Sequence, residues 1–112
     1  MIDSLSGRLL KWGKPTARGI RFAASVQVPA SAPTIWADND PIGRMELTRD
    51  DDGVIYRLSL VDIPRAREIA ALAKGGVQLF AEPKIDGRTS DGWAKRGKIE
   101  RVHLWPLAMG GG

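Results

Sequence analysis

The chain of 112 residues contains no cysteine and a single histidine, His103. The first absence excludes disulfides, thiolate metal sites and a cysteine nucleophile. The second leaves no histidine cluster for zinc and one candidate, at most, for a histidine base. No apolar run approaches the about 18 residues that a membrane-spanning helix needs. The opening MIDSLSGRLLKWGK has no apolar signal core. No Walker glycine loop occurs, since GKPT at 13–16 matches only the tail of one. No acidic stretch has EF-hand spacing. The expectation is a soluble protein that stays in the cell that makes it, with no cofactor, no metal and no membrane partner.

What is present suits one domain. At 43% hydrophobic the chain can bury a small core. Residues 1–109 are expected to form that domain and Gly110–Gly112 a flexible glycine tail. Net charge is +4, unevenly spread. Residues 1–30 carry Arg8, Lys11, Lys14, Arg18 and Arg21 against Asp3 alone. Residues 38–62 are acidic, and the C-terminal part is basic again at Arg88, Lys95, Arg96, Lys98 and Arg101. Such segregation suits an acidic protein surface, nucleic acid, or solvent alone.

Alternation predicts most of the elements. SLSGRLLKWG reads as a first strand. In GIRFAASVQV the residues Ile20, Phe22, Ala24, Val26 and Val28 share one face, as in a half-buried strand. PASAP reads as a rigid loop, with a turn at Asn39-Asp40-Pro41 further on. IGRMELT and VIYRLSLV read as a hairpin around Asp50-Asp51-Asp52-Gly53, whose Asp-Gly pair favours left-handed turn conformations. DIPRAREIAALAKGG is the one helix, with Asp62 as its cap, Pro64 in its first turn and Gly75 or Gly76 at its end. Ile69, Leu72 and Ala73 supply part of its apolar stripe. VQLFAEP is a buried strand, KIDGRTSDGWAKRG a long polar loop, and KIERVHLWPLAM the last strand. The fold class expected is mainly β (α+β): a small curled sheet or β-barrel of about six to seven strands with one packed helix.

Catalytic chemistry is thin. A serine triad at a relocated site has only His103 with Ser59 or Ser90 to draw on. Ser59 alternates with core positions, and His103 reads as a structural or surface residue. Trp12 and Trp105 sit in strands, whereas Trp93 lies in a glycine-flanked loop beside Lys95 and Arg96. A tryptophan next to two cations suits a partner contact. The residues expected to make it are Trp93, Lys95 and Arg96, with Arg88 nearby.

Taken in order, four segments resemble the tailed-phage prohead (capsid maturation) protease family. They are GRLLKWGKPTARGIRFAAS, PIGRMELTRDDDGVIYRLSL, DIPRAREIAALAKGGVQLF and IERVHLWPLAM. The resemblance implies a herpesvirus-assemblin-like barrel and points to three active-site positions. The histidine before PIG falls at Ala37 or a neighbour, the nucleophile at or beside Gln78, and the acidic residue of the last strand at Pro106. None of the three has retained its chemistry. The implied function is a non-catalytic phage head protein, a pseudo-protease. It would bind the major capsid protein as a decoration or stabilising (minor capsid) component, or as an assembly factor. It would sit in the virion after passing through the host cytoplasm, as a homo-oligomer or symmetric array on the shell. The alternatives are a small nucleic-acid-binding β-barrel and an active protease with the relocated site.

Overall fold

The computed structural model describes residues 4–87 and 89–106. Among these, six long strands form one sheet: β1 (Ser4–Lys11), β3 (Ser31–Trp36), β4 (Pro41–Arg49), β5 (Gly53–Leu60), β6 (Leu79–Ile85) and β9 (Ile99–Pro106). Its order is β1-β5-β4-β3-β9-β6, and the two edge strands approach each other. The result is a nearly closed barrel. The short strands β2 (Arg21–Phe22), β7 (Thr89–Ser90) and β8 (Trp93–Ala94) form a second, three-stranded sheet. The single helix, α1 (Pro64–Lys74), crosses from β5 to β6. The mainly β fold class is therefore as expected, with nine strands among the described residues rather than about six to seven.

All neighbours in the large sheet are antiparallel except β3 and β9, which run parallel. Side chains alternate across it. Ala32, Thr34 and Trp36 of β3 point inward with Val102 and Leu104 of β9, and all five are buried. Met45, Leu47, Val54, Leu58 and Leu60 fill the same interior from β4 and β5. On α1 the buried residues are Ala66, Ile69 and Ala70.

Several local expectations need correction. GIRFAASVQV is not one strand: Phe22 and Val26 are buried but Ala24 is exposed. After Phe22 the chain turns, with Val26 N donating to Ala23 O, and the Arg49 guanidinium donates to the carbonyls of Ala24 and Val26. The exposed Arg49 side chain and two backbone acceptors thus replace a neighbouring strand. PASAP is not a loop throughout, because Ser31, Ala32 and Pro33 open β3 and pair with β4. Asp62 does not cap the helix. Its carboxylate accepts from Arg67 Nε at 2.8 Å, while Ile63 occupies the cap with no side-chain bond. Leu72 faces outward at 36% exposure. Pro64 does stand in the first turn, and Gly76 ends the helix with φ +88°.

The hairpin tip forms where expected, for a different reason. Neither Asp52 nor Gly53 has a positive φ. Asp50 Oδ1 instead accepts from the main-chain N–H of Asp52 and Gly53 at 3.0 and 2.8 Å, an aspartate side chain closing its own turn. Gly53 is needed because β1 passes over it: an added Cβ would lie 2.0 Å from Leu10 O. The long polar loop is also more ordered than its composition suggests, since it supplies β7 and β8. The expected glycine tail, Gly110–Gly112, lies outside the described residues.

The barrel interior holds one mismatch. Thr34 Oγ1 is fully buried and has no hydrogen-bond partner among the described residues. An unsatisfied buried hydroxyl costs about 1–3 kcal/mol, and valine has nearly the same shape. Thr34→Val is expected to raise the unfolding free energy by about 1 kcal/mol, measured by urea denaturation. A loss of stability would mean that the hydroxyl has a partner in solution.

Candidate functional site

Two of the three positions singled out by the protease resemblance meet at one place. Ala37 and Pro106 line the same cleft of about 280 Å³, between α1, the start of the β3–β4 turn and the end of β9. Gln78 lies one residue before Leu79, whose register partner is Pro106. The parallel pairing of β3 with β9 brings Trp36 alongside Leu104 and so carries Ala37 toward Pro106. The cleft has apolar walls from Trp36, Ile69 and Leu72. Its polar side is an ion network on Arg65. That guanidinium donates to Asp38 at 2.7 Å and Glu68 at 3.2 Å, with Asp40 at 3.8 Å. These groups are substantially exposed, so the pairs position side chains more than they stabilise the fold. No serine, threonine, cysteine or histidine lines the cleft. Its carboxylates, Asp38 and Glu68, are both tied to the Arg65 guanidinium.

The relocated-protease alternative draws on side chains that the sheet keeps apart. Ser59 stands on β5 and His103 on β9, with β4 and β3 between them. At about 4.8 Å per strand that is roughly 14 Å of sheet. Ser90 is exposed on β7 of the other sheet. His103 Nε2 accepts a hydrogen bond from Arg101 Nε at 3.1 Å.

Of the expected contact residues, Trp93 stands on the small sheet and Lys95 and Arg96 follow it in the chain. Trp93 is half-buried rather than free, because β8 pairs with β2 on one side and β7 on the other. Its ring has the Arg21 guanidinium and the Lys95 ammonium each 6.0 Å from its centre. Arg21 also donates to Gly13 O at 2.9 Å, which fixes the cation beside the ring. Lys95 and Arg96 are exposed. Arg88 lies outside the described residues. A second pair stands on the large sheet, with Arg49 4.8 Å over Trp12. Cations over indole faces are attracted by the ring quadrupole.

No protein-family model matches this chain, and no curated protein or solved structure does either. Among the described residues no group of three or more histidine, cysteine or acidic side chains is placed to hold a metal, and no helix is long and apolar enough to cross a membrane.

One site escaped the sequence reading. Glu82 on β6 is 2% exposed although it points to the outside of the barrel. The segment between β1 and β2 folds over it. Thr16 Oγ1 donates to Glu82 Oε2 at 2.6 Å, and Arg18 N donates to Oε1 at 3.3 Å. Burial raises its pKa, against the lowering effect of those bonds and of Lys84 and Arg18. Across the register lies His103, whose pKa is lowered by burial and then by Arg101, Lys84 and Arg18. Arg18 rests over Trp105, 5.1 Å from the ring centre. The signal was an acidic residue two places from Phe80 and Lys84 in a strand taken as buried. Alternation alone does not reveal that a loop covers the outer face.

Two outcomes follow from this cluster. Glu82→Ala removes the acceptor for both loop donors, so trypsin is expected to cut after Arg18 several-fold faster, read by mass spectrometry. An unchanged cleavage rate would show that Glu82 does not hold the segment. His103 has a folded pKa below its ordinary 6.5, so the unfolded chain takes up the proton first. Stability is therefore expected to fall as pH drops through that value, and His103→Gln should flatten this part of the profile relative to the parent protein. Parallel profiles would remove the assignment.

Proposed function

We propose that this domain is a non-catalytic protein of the phage head, similar to prohead proteases in fold, that binds the major capsid protein. It acts as a decoration or stabilising component of the shell, or as an assembly factor, in the virion and in the host cytoplasm during assembly. One observation carries the reading. Two of the three positions that the resemblance selects, Ala37 and Pro106, line a single cleft, and Gln78 precedes Leu79, the register partner of Pro106. Convergence of unconnected positions supports the resemblance, and the residues found there support a lost activity. A fold kept without its chemistry points to a retained surface.

The surface that fits is the small sheet. Trp93 offers a partly buried aromatic face with Arg21 and Lys95 beside its ring, and the exposed Arg96 follows in sequence. That combination suits an acidic protein surface, where a desolvated aromatic anchor supplies affinity and surrounding cations orient the encounter. Binding to a shell of repeated subunits implies many copies arranged by symmetry, as an oligomer or an array.

The test is copy number in purified mature heads, measured by quantitative mass spectrometry against the major capsid protein. A fixed simple ratio is expected, and Trp93→Ala combined with Lys95→Ala and Arg96→Ala should lower occupancy at least tenfold. Absence from heads and from assembly intermediates would sink the reading. Cleavage of the capsid protein that is lost with Ser59→Ala or Ser90→Ala would replace it with the relocated protease.

A further inference from the structure

We infer that the outer face of the barrel, on a row crossing β6, β9 and β4, binds the phosphate backbone of nucleic acid through Lys84, Arg101 and Arg44. This surface lies on the large sheet, separate from the small-sheet contacts, and does not depend on the capsid reading.

The register builds the row. Lys84 stands directly opposite Arg101. Thr34 pairs with Val102, so Pro33 falls beside Arg101, and Pro33 pairs with Arg44 on the far side. The line is therefore Lys84, Arg101, Pro33, Arg44, at about 4.8 Å per strand. Arg101 and Arg44 are exposed and Lys84 is half-buried. Like charges held opposite each other across a ladder oppose folding, and this sheet keeps such a pair. Lys84 makes no hydrogen bond or ion pair among the described residues. Arg101 reaches only Glu100, at 3.6 Å, besides its bond to His103. Arg44 donates Nε to Ser31 Oγ at 2.9 Å and keeps its terminal nitrogens for other acceptors.

The surroundings carry charge of both signs. Glu82 is buried and occupied by Thr16 and by the main chain of Arg18, whereas the exposed Glu100 pairs with Arg101 and lines one cleft with Asp86, Pro33 and Arg44. Arg18 is fixed over Trp105 at the β6 end and adds a fourth cation. Arg18, Lys84 and Arg101 all depress the basicity of His103, which places their fields on one patch. A compact cluster would favour a single small anion. A line of cations across several strands instead matches a linear polyanion whose charges recur at short intervals.

The test is fluorescence anisotropy of a labelled short DNA duplex with the full chain, titrated between about 50 and 200 mM salt. Three phosphate contacts predict a slope of log affinity against log salt near about −2.7. Lys84→Gln with Arg101→Gln should weaken binding about tenfold or more and flatten the slope by about 2. Thermal unfolding checks that the double variant folds. Should it not fold, the single change Arg44→Gln, whose side chain is exposed, should flatten the slope by about 1. Lys11→Gln, an exposed position at the end of β1, serves as the control and should leave slope and affinity nearly unchanged. The inference is overturned by absence of DNA binding, by an unchanged slope in the row variants, or by loss of binding in the control. It is also overturned if inorganic phosphate competes as well as DNA at equal phosphate concentration, because the site would then take a small anion.

Discussion

The parallel pairing of β3 with β9 is the constraint on which the rest of this structure depends. Every other neighbour in the large sheet is antiparallel, and β3–β4 and β4–β5 are joined by short turns. Placing β9 beside β3 requires the chain to travel through β4, β5, α1, β6 and the small sheet before it returns. That return inserts the last described strand between β3 and β6, brings β6 toward β1, and nearly closes the barrel. It also joins Val102 and Leu104 to Ala32, Thr34 and Trp36 in one interior layer. The cleft at Ala37 and Pro106 is a direct consequence, since both residues follow the paired stretch at the same end.

The same pairing sets the outer face. Because strands alternate, the register that buries Val102 and Leu104 must turn Arg101, His103 and Trp105 outward. Antiparallel β6 then brings Lys84, Glu82 and Phe80 against them in order. Three cross-strand pairs of different character result: two cations, an acid with a histidine, and two aromatic rings whose centres are 6.0 Å apart. The loop between β1 and β2 covers the acid and the tryptophan and leaves the cations in water. A gradient from dry to wet along two strands therefore separates a structural clasp from an open basic row.

Electrostatic support elsewhere is local. At the hairpin tip, Arg8 grips both oxygens of Asp50 at 2.9 and 2.7 Å. Its hydrogen bonds, with those from the main chain of Gly53 and Asp52, hold the Asp50 pKa at about 2. The aspartate run is thus partly a turn-closing device and partly solvated charge. Arg65 plays a comparable part at the cleft, where one guanidinium gathers three acidic residues from the helix and the β3–β4 turn. Each arrangement joins segments that are distant in the chain without burying the charges involved.

Much of this was legible in the sequence, and the failures have a common cause. Alternation located β1, β4, β5, β6 and β9 to within a few residues, and helical spacing with Pro64 and the glycine pair located α1. Those signals are local, because a period of two or of 3.6 is set by backbone geometry alone. GIRFAASVQV misled because Phe22 and Val26 are both buried while the chain turns between them, held by Arg49 from another strand. Asp62 had the chemistry of a cap, but Arg67 one helical turn on claimed its carboxylate. The half-burial of Trp93 is not legible locally because its partners, Arg21 and the short strand β2, lie about seventy residues earlier.

What the sequence determined by itself was the fold class, the elements of the large sheet, the absence of cysteine chemistry and the lack of catalytic side chains at the positions the resemblance selected. These depend on composition and on short-range pattern. Only the tertiary structure decided that Ala37 and Pro106 share a cleft, that Glu82 is covered, and that Lys84, Arg101 and Arg44 fall in one row. Each of those facts is a relation between strands far apart in sequence. Register and strand order fix such relations, and a one-residue slip would reverse every face.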